Sequence, residues 1–132
     1  MNDRLLAEKA VEMMKFSYAP YSHFHVGAAL LAKNGTVFTG CNVENAAYGP
    51  SNCAERTAVF KAVSEGVREF EAIAIAGGAD GIVKDFCSPC GVCRQVLAEF
   101  CSKDFKVIMI NGKGELKTMT LGELLPESFS LD

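Results

Sequence analysis

The sequence predicts an α/β protein: a three-layer α/β/α sandwich built on a mixed sheet of five strands. Three observations lead there. An apolar run, Val26 to Ala32, is followed by Asn34-Gly35 and a second β-prone stretch, which reads as a hairpin. Helical and strand patterns alternate over the rest of the chain, as they do when helices cover the faces of a partly parallel sheet. The chain has 132 residues, 49% of them apolar, which is enough surface for one real core and too little for two. Residues 1–132 are therefore expected to form one domain.

Asp3 is placed to cap a first helix, in which Leu5, Leu6, Ala10, Met13 and Met14 recur at helical spacing and which Pro20 closes. Val26 to Ala32 is apolar without alternation, as expected of a strand buried on both faces. Thr36 to Cys41 returns beside it after the Asn-Gly turn. Residues 42–52 carry Asn, Gly, Pro and Ser without periodicity and read as a loop on a rigid scaffold. From Cys53 the pattern is helical again, with Ala54, Ala58, Val59, Ala62 and Val63 on one side and Gly66 as the stop. Glu71 to Ala76 is a short strand bounded by Gly77-Gly78. Pro89 then opens a helix that runs through about Cys101. Phe105 to Ile110 and Glu115 to Met119 are strands on either side of a turn at Asn111 to Gly114, and Thr120 to Leu125 is a short last helix.

Thirteen Lys and Arg lie scattered among sixteen acids, for a net charge of −3, so there is no basic field and nucleic acid is not an expected partner. Met1-Asn2-Asp3-Arg4 shows no basic region leading into an apolar run. No stretch approaches the ~20 apolar residues of a membrane span. The chain is expected in the cytoplasm with reduced thiols, since its six cysteines follow metal-type spacing rather than a disulfide framework. Cys41 and Cys101 sit among apolar residues and are expected to be buried small hydrophobes. His23 and His25 alternate along an extended segment and are read as structural.

The chemistry gathers at Pro89-Cys90-Gly91-Val92-Cys93, because a Cys-x-x-Cys pair brings two thiolates within reach of one ion. Cys53 is the candidate third ligand, which leaves a fourth zinc position to water, as catalytic sites do. Cys87 creates an overlapping pair, Cys87-Ser88-Pro89-Cys90. Cys90 and Cys93 are preferred because Pro89 at the first helical position would put both in the first turn, with Cys87 before it. Helix N-termini supply partial positive charge and free N–H groups that favour thiolates. Arg56, near Cys53, is placed to hydrogen-bond the sulfurs and withdraw charge from them, although a solvated helix arginine is the alternative. Glu55 stands two residues after Cys53, where its carboxylate approaches the open position without filling it and can act as a general base. A first-turn glutamate that merely complements the helix dipole is the plainer account.

Cys53-Ala54-Glu55 followed by Pro89-Cys90-Gly91-Val92-Cys93 resembles the signature of zinc nucleoside and nucleobase deaminases. Tyr21 to Leu30, Asn42 to Tyr48, Arg94-Gln95 and Leu124 to Phe129 narrow the resemblance to the small homotetrameric cytidine deaminases, and it covers nearly the whole chain. The resemblance implies a cytidine deaminase-like fold and a hydrolase acting on a cyclic amidine C–N bond in pyrimidine salvage. Cytidine and 2′-deoxycytidine would become uridine and 2′-deoxyuridine, with release of ammonia. Zinc-bound hydroxide, one Zn²⁺ per subunit, would attack C4 while Glu55 shuttles protons to N3 and then to the amino group. Asn42 and Glu44 match residues that hold the ribose 3′-hydroxyl, though both residue types also cap loops. Phe24 and Ala54 match positions beside the nucleoside. Ala46, Tyr48 and Phe129 match positions that reach the pocket from neighbouring subunits, so active sites shared across a homotetramer are implied.

Two other readings stand beside this one. A related aminopyrimidine, such as a nucleoside antibiotic or a base within nucleic acid, is an alternative substrate. The acidic balance opposes the nucleic-acid version, and Asn42 with Glu44 favours a free ribose. A noncatalytic zinc module would instead close Cys53, Cys87, Cys90 and Cys93 around the ion.

Overall fold

The computed structural model describes residues 1–131, so the Asp132 end of the expected domain lies outside the described residues. The expected hairpin forms β1 (Phe24–Ala32) and β2 (Val37–Cys41), followed by β3 (Phe70–Ala79), β4 (Lys106–Ile110) and β5 (Leu116–Thr120). The helices are α1 (Asp3–Met13), α2 (Ala54–Ser64), α3 (Gly91–Phe100) and the single turn α4 (Leu121–Leu124). The five strands make one sheet in the order β2-β1-β3-β4-β5. It is mixed: β3 and β4 run parallel, joined by a crossover through α3, while the other neighbours are antiparallel.

The central strands are buried on both faces, and their alternating residues feed two cores. Ala29 and Leu31 of β1, Ala72, Ala74 and Ala76 of β3 and Ile108 of β4 meet Leu6, Ala7 and Ala10 of α1. On the opposite face Ala28, Leu30, Ile73, Ile75 and Val107 meet Ala58, Val59 and Ala62 of α2 and Leu97 of α3. Helices on both faces complete the three layers.

Small residues let the helices approach the sheet closely. A Cβ at Gly27 of β1 would lie 1.9 Å from the Ala10 carbonyl oxygen, and one at Gly40 of β2 would lie 2.4 Å from the Ala54 carbonyl oxygen. The second contact seats the first turn of α2 directly on β2, which fixes the height of Cys53 and Glu55 above the sheet.

Local boundaries differ from the sequence expectation for identifiable reasons. Asn2, not Asp3, caps α1 by accepting from the Leu5 N–H at 2.8 Å. Asp3 enters the first turn, and its Oδ1 pairs with Lys106 Nζ at 2.8 Å. Strand β3 continues through Gly77-Gly78 because β1 also starts early, at Phe24, and the two pair as far as Phe24 opposite Ala79. Thr120 is the cap of α4 rather than its first residue, and Glu123 completes a capping box with it. Pro89 lies outside α3, since Cys90 holds the N-cap position with extended backbone (φ −68°, ψ 167°). Cys41 and Cys101 are half-buried rather than buried, Cys101 because it follows the last residue of α3.

The Gly40 contact gives a first prediction. Gly40→Ala forces backbone apart at the root of α2 and should destabilise by about 1–3 kcal/mol, or roughly 3–15 °C in Tm. Thermal unfolding at the wild-type temperature would show that β2 and α2 are not in the contact described.

Candidate active site

Two helix N-termini converge on one point, and each carries a cysteine where a serine or aspartate is more usual. Cys53 holds the N-cap position of α2 and Cys90 that of α3, and neither side chain accepts from a backbone N–H of its own helix. Their sulfurs turn towards each other instead, 3.7 Å apart. Cys93, in the first turn of α3 and fully buried, joins them, so that the three Sγ atoms lie within 4.8 Å of one another. Tetrahedral zinc with Zn–S near 2.3 Å requires sulfurs about 3.8 Å apart, a spacing that Cys53 and Cys90 match at 3.7 Å. Cys87 is not in the group among the described residues, which opposes a closed four-thiolate site. Its thiol is half-buried and is pushed up to about 12, chiefly by burial, with the charges of Glu55 and Cys53 adding to the effect.

The electrostatics favour anionic sulfur at Cys53. A hydrogen bond from Cys93 holds its thiol down, to about 5, against the opposing effect of burial, and Arg56 and Cys90 contribute further. Cys93, the donor in that pair, is shifted upwards by the same bond and by burial. Arg56 donates from Nη2 to Cys53 Sγ at 3.2 Å, as its place near the cluster led us to expect. Its Nε is buried with no protein partner among the described residues, an orphan donor beside a cluster that becomes more negative as thiolates form. The spacing, the helix termini and the guanidinium all fit a zinc ion.

Glu55 is 4% exposed, a buried carboxyl next to the cluster. Burial first, and then the charge of Cys53, push it up to about 7, against hydrogen bonds from its own backbone and Cys93 and the charge of Arg56. A carboxyl poised there can both take and return a proton near neutral pH.

A cavity of about 460 Å³ opens over this group. Cys53, Ala54, Glu55, Arg56 and Cys90 line its floor, and Asn42, Glu44 and Tyr48 its wall. Asn42 bridges β1, accepting from the Val26 N–H at 2.9 Å and donating to the Phe24 carbonyl at 2.8 Å. Glu44 Oε1 accepts the N–H groups of Tyr21 and Ser22, each at 3.1 Å, and Oε2 accepts the Ser22 hydroxyl. These bonds, the Ser22 hydroxyl above all, hold the Glu44 carboxyl below its ordinary range. Both residues therefore do cap their loops. Each also keeps hydrogen-bonding capacity, a second amide N–H on Asn42 and further lone pairs on Glu44.

Phe24, Ala46 and Phe129 are not brought to this cavity by a single chain. Phe24 lines a neighbouring cavity with Cys87, while Ala46 and Phe129 are exposed, Phe129 to 67%. Ser51 and Asn52 also line the main cavity and had no motif to single them out. Among the described residues, no helix is long and apolar enough to cross a membrane.

Three thiols on paired helix termini, with a buried carboxyl in reach of the open side, define a zinc-dependent hydrolase. The family model of the cytidine and deoxycytidylate deaminase zinc-binding region matches residues 1–109. A cytidine deaminase of Sporosarcina psychrophila is 53% identical over 97% of this chain and 90% of its own length. One from Halalkalibacterium halodurans is 48% identical over 100% of this chain and 97% of its own. The crystal structure of cytidine deaminase from Burkholderia pseudomallei superimposes with a TM-score of 0.90 at 46% identity, covering 98% of this chain and 100% of that one. The chain belongs to the cytidine deaminase family.

Metal analysis tests the ligand set. Cys87→Ser should keep one zinc per chain, whereas Cys90→Ser and Cys93→Ser should lose it. Zinc lost from Cys87→Ser and kept by Cys93→Ser would reverse the assignment.

Proposed function

We propose that the protein hydrolyses cytidine and 2′-deoxycytidine to uridine and 2′-deoxyuridine with release of ammonia, a step of pyrimidine salvage. The observation that carries this reading is the buried Glu55 beside the cluster of Cys53, Cys90 and Cys93. Its family membership, and its similarity to two full-length relatives named as cytidine deaminases, support the same substrate class.

Cys53, Cys90 and Cys93 are the residues that would hold Zn²⁺, whose Lewis acidity makes water a nucleophile near neutral pH. Arg56 draws electron density from Cys53 and so limits how far three thiolates quench that acidity. Glu55 removes a proton from the attacking water and delivers it to N3 of the pyrimidine as the new C4–O bond forms. It then carries a second proton from the same oxygen to the amino nitrogen, and the C4–N bond breaks to leave the uridine and ammonia. Ala54 gives this end of the pocket a small apolar surface. Asn42 and Glu44, held rigid by β1 and by the Tyr21-Ser22 turn, offer a donor and an acceptor to the ribose 3′-hydroxyl.

The chain works as one domain, 1–132, in a homotetramer with shared sites. Exposed aromatics support this: Tyr48 at 76% and Phe129 at 67% are anchors in search of a partner rather than parts of one chain's core. Phe24, Ala46, Tyr48 and Phe129 enclose the nucleoside when subunits assemble. Six free thiols, three of them poised for metal, fit the reducing cytoplasm. The net charge of −3 favours a small nucleoside over nucleic acid.

Loss of the cytosine absorbance band tests the substrate, with cytidine, deoxycytidine, cytosine and the monophosphates compared; turnover of the two nucleosides alone is expected. Glu55→Gln should retain zinc and fold while losing turnover by a hundredfold or more, about what a lost acid–base group removes. Near-normal turnover would refute its role.

Subunit mixing tests the shared site. Phe129→Ala should raise KM for cytidine and leave zinc in place. Reassembly of Phe129→Ala with Glu55→Gln subunits should create some sites that pair an intact Glu55 with a neighbour's Phe129, with KM below that of Phe129→Ala alone. A fully active monomer in the ultracentrifuge would contradict the shared site.

A further inference from the structure

Arg94-Gln95 stood out in the sequence, yet neither side chain lines the cavity or touches the thiol cluster. The structure gives both a task. Arg94 sits one residue beyond Cys93 on α3, half-buried, and its guanidinium faces neutral oxygens: the ion pair among the described residues is Lys106 with Asp3. Nε donates to the carbonyl of Pro89 at 2.7 Å and Nη1 to the carbonyl of Leu124 at 2.6 Å, while Nη2 makes a longer contact, 3.5 Å, with the Ser88 hydroxyl.

These oxygens belong to two separate segments. Ser88-Pro89 leads directly into Cys90, and Pro89 is fully buried, so its carbonyl marks the position of the ligand turn. Leu124 ends α4, and its carbonyl is among those a helix leaves without an internal partner. Five residues further on, Gln95 Nε2 donates to the carbonyl of Phe129 at 3.1 Å. Adjacent residues of α3 thus grip the C-terminal segment at Leu124 and at Phe129, and Arg94 grips the ligand turn as well.

We propose that Arg94 is a positioning residue that ties the metal-ligand turn at Cys90 to the segment that presents Phe129, with Gln95 completing the grip on that segment. The part concerning Phe129 rests on the function proposed above; the part concerning Cys90 rests on the thiol cluster alone. The planar fork explains why arginine stands here. It directs Nε–H and Nη1–H at two carbonyls at once, whereas a lysine ammonium is a single point of charge on a flexible stem. The bond to Pro89 acts on the metal through backbone, as outer-shell partners of metal ligands do. The bonds to Leu124 and Phe129 act on the substrate through the tail.

The test uses the zinc-loaded full chain and two readouts: zinc released to a chromophoric chelator, and the split between KM and kcat for cytidine. Arg94→Gln should release zinc on the order of tenfold faster and also raise KM. Gln95→Ala should raise KM severalfold, as expected for one lost hydrogen bond, with zinc release at the wild-type rate. Arg94→Lys should restore at most one of the two properties. Leu6→Ala, in the core on the opposite face of the sheet, serves as the control for general loss of stability. Wild-type zinc release or wild-type KM in Arg94→Gln would overturn the proposal. So would accelerated release no greater than that of Leu6→Ala once the two are compared at equal distance below their Tm. Should Arg94→Gln not fold, the Arg94→Lys result decides, and wild-type behaviour in both readouts overturns it. Zinc release is read without turnover, so an inactive protein would count against the proposed reaction and not against the tie to Cys90.

Discussion

The meeting of two helix N-termini over one face of the sheet is the constraint from which the rest of the site follows. A residue at an N-cap ordinarily folds its side chain back onto its own helix. Cys53 and Cys90 do not, and their sulfurs face one another across the gap between α2 and α3. That arrangement requires α2 to sit tight on β2, which only a glycine at position 40 permits, and α3 to begin partway along the crossover from β3 to β4. Glu55 is buried because its neighbour Cys53 is at the cap, so the first turn of α2 presses the carboxyl beneath the cavity. Ligand and acid–base group are thus placed by a single element.

Much of this was legible in the sequence because it depends on short-range chemistry. Cys53-Ala54-Glu55 and Pro89-Cys90-Gly91-Val92-Cys93 each lie within a few residues, and a helix start converts such spacing directly into geometry. The hairpin turn at Asn34-Gly35 was legible for the same reason, and Gly35 does adopt positive φ. The Pro89 boundary was misjudged by two residues, since α3 begins at Gly91: Cys90 has a φ of −68°, as a helical residue would, and only its ψ of 167° sets it outside. Nothing in local composition reports that ψ. Asn2 and Asp3 are both good caps, and the partner that Asp3 takes instead, Lys106, lies more than a hundred residues away in sequence.

What the sequence could not show is long-range pairing. The order β2-β1-β3-β4-β5 emerges only when α3 carries the chain across to lay β4 beside β3. The occupied state of Asn42 and Glu44 was likewise hidden, since their partners at Phe24, Val26, Tyr21 and Ser22 lie sixteen or more residues back. Arg94 was visible only as part of a pattern. Its reach to Leu124 spans thirty residues, and its use depends on the tail returning to α3.

The wiring of Glu44 gives the pocket a sense of where a polynucleotide ends. Two backbone N–H groups and a hydroxyl hold this carboxylate in its anionic form, and its remaining capacity is that of an acceptor. On the proposed reading it meets the 3′-oxygen of the sugar, which it can accept from only while that oxygen bears a hydrogen. In the interior of a strand the same oxygen is esterified to phosphate: it has no proton to give and brings a second negative charge against the first. On that reading, one carboxylate held by a serine turn would separate free nucleosides from the far larger pool of cytosines already joined into nucleic acid, without reading any base.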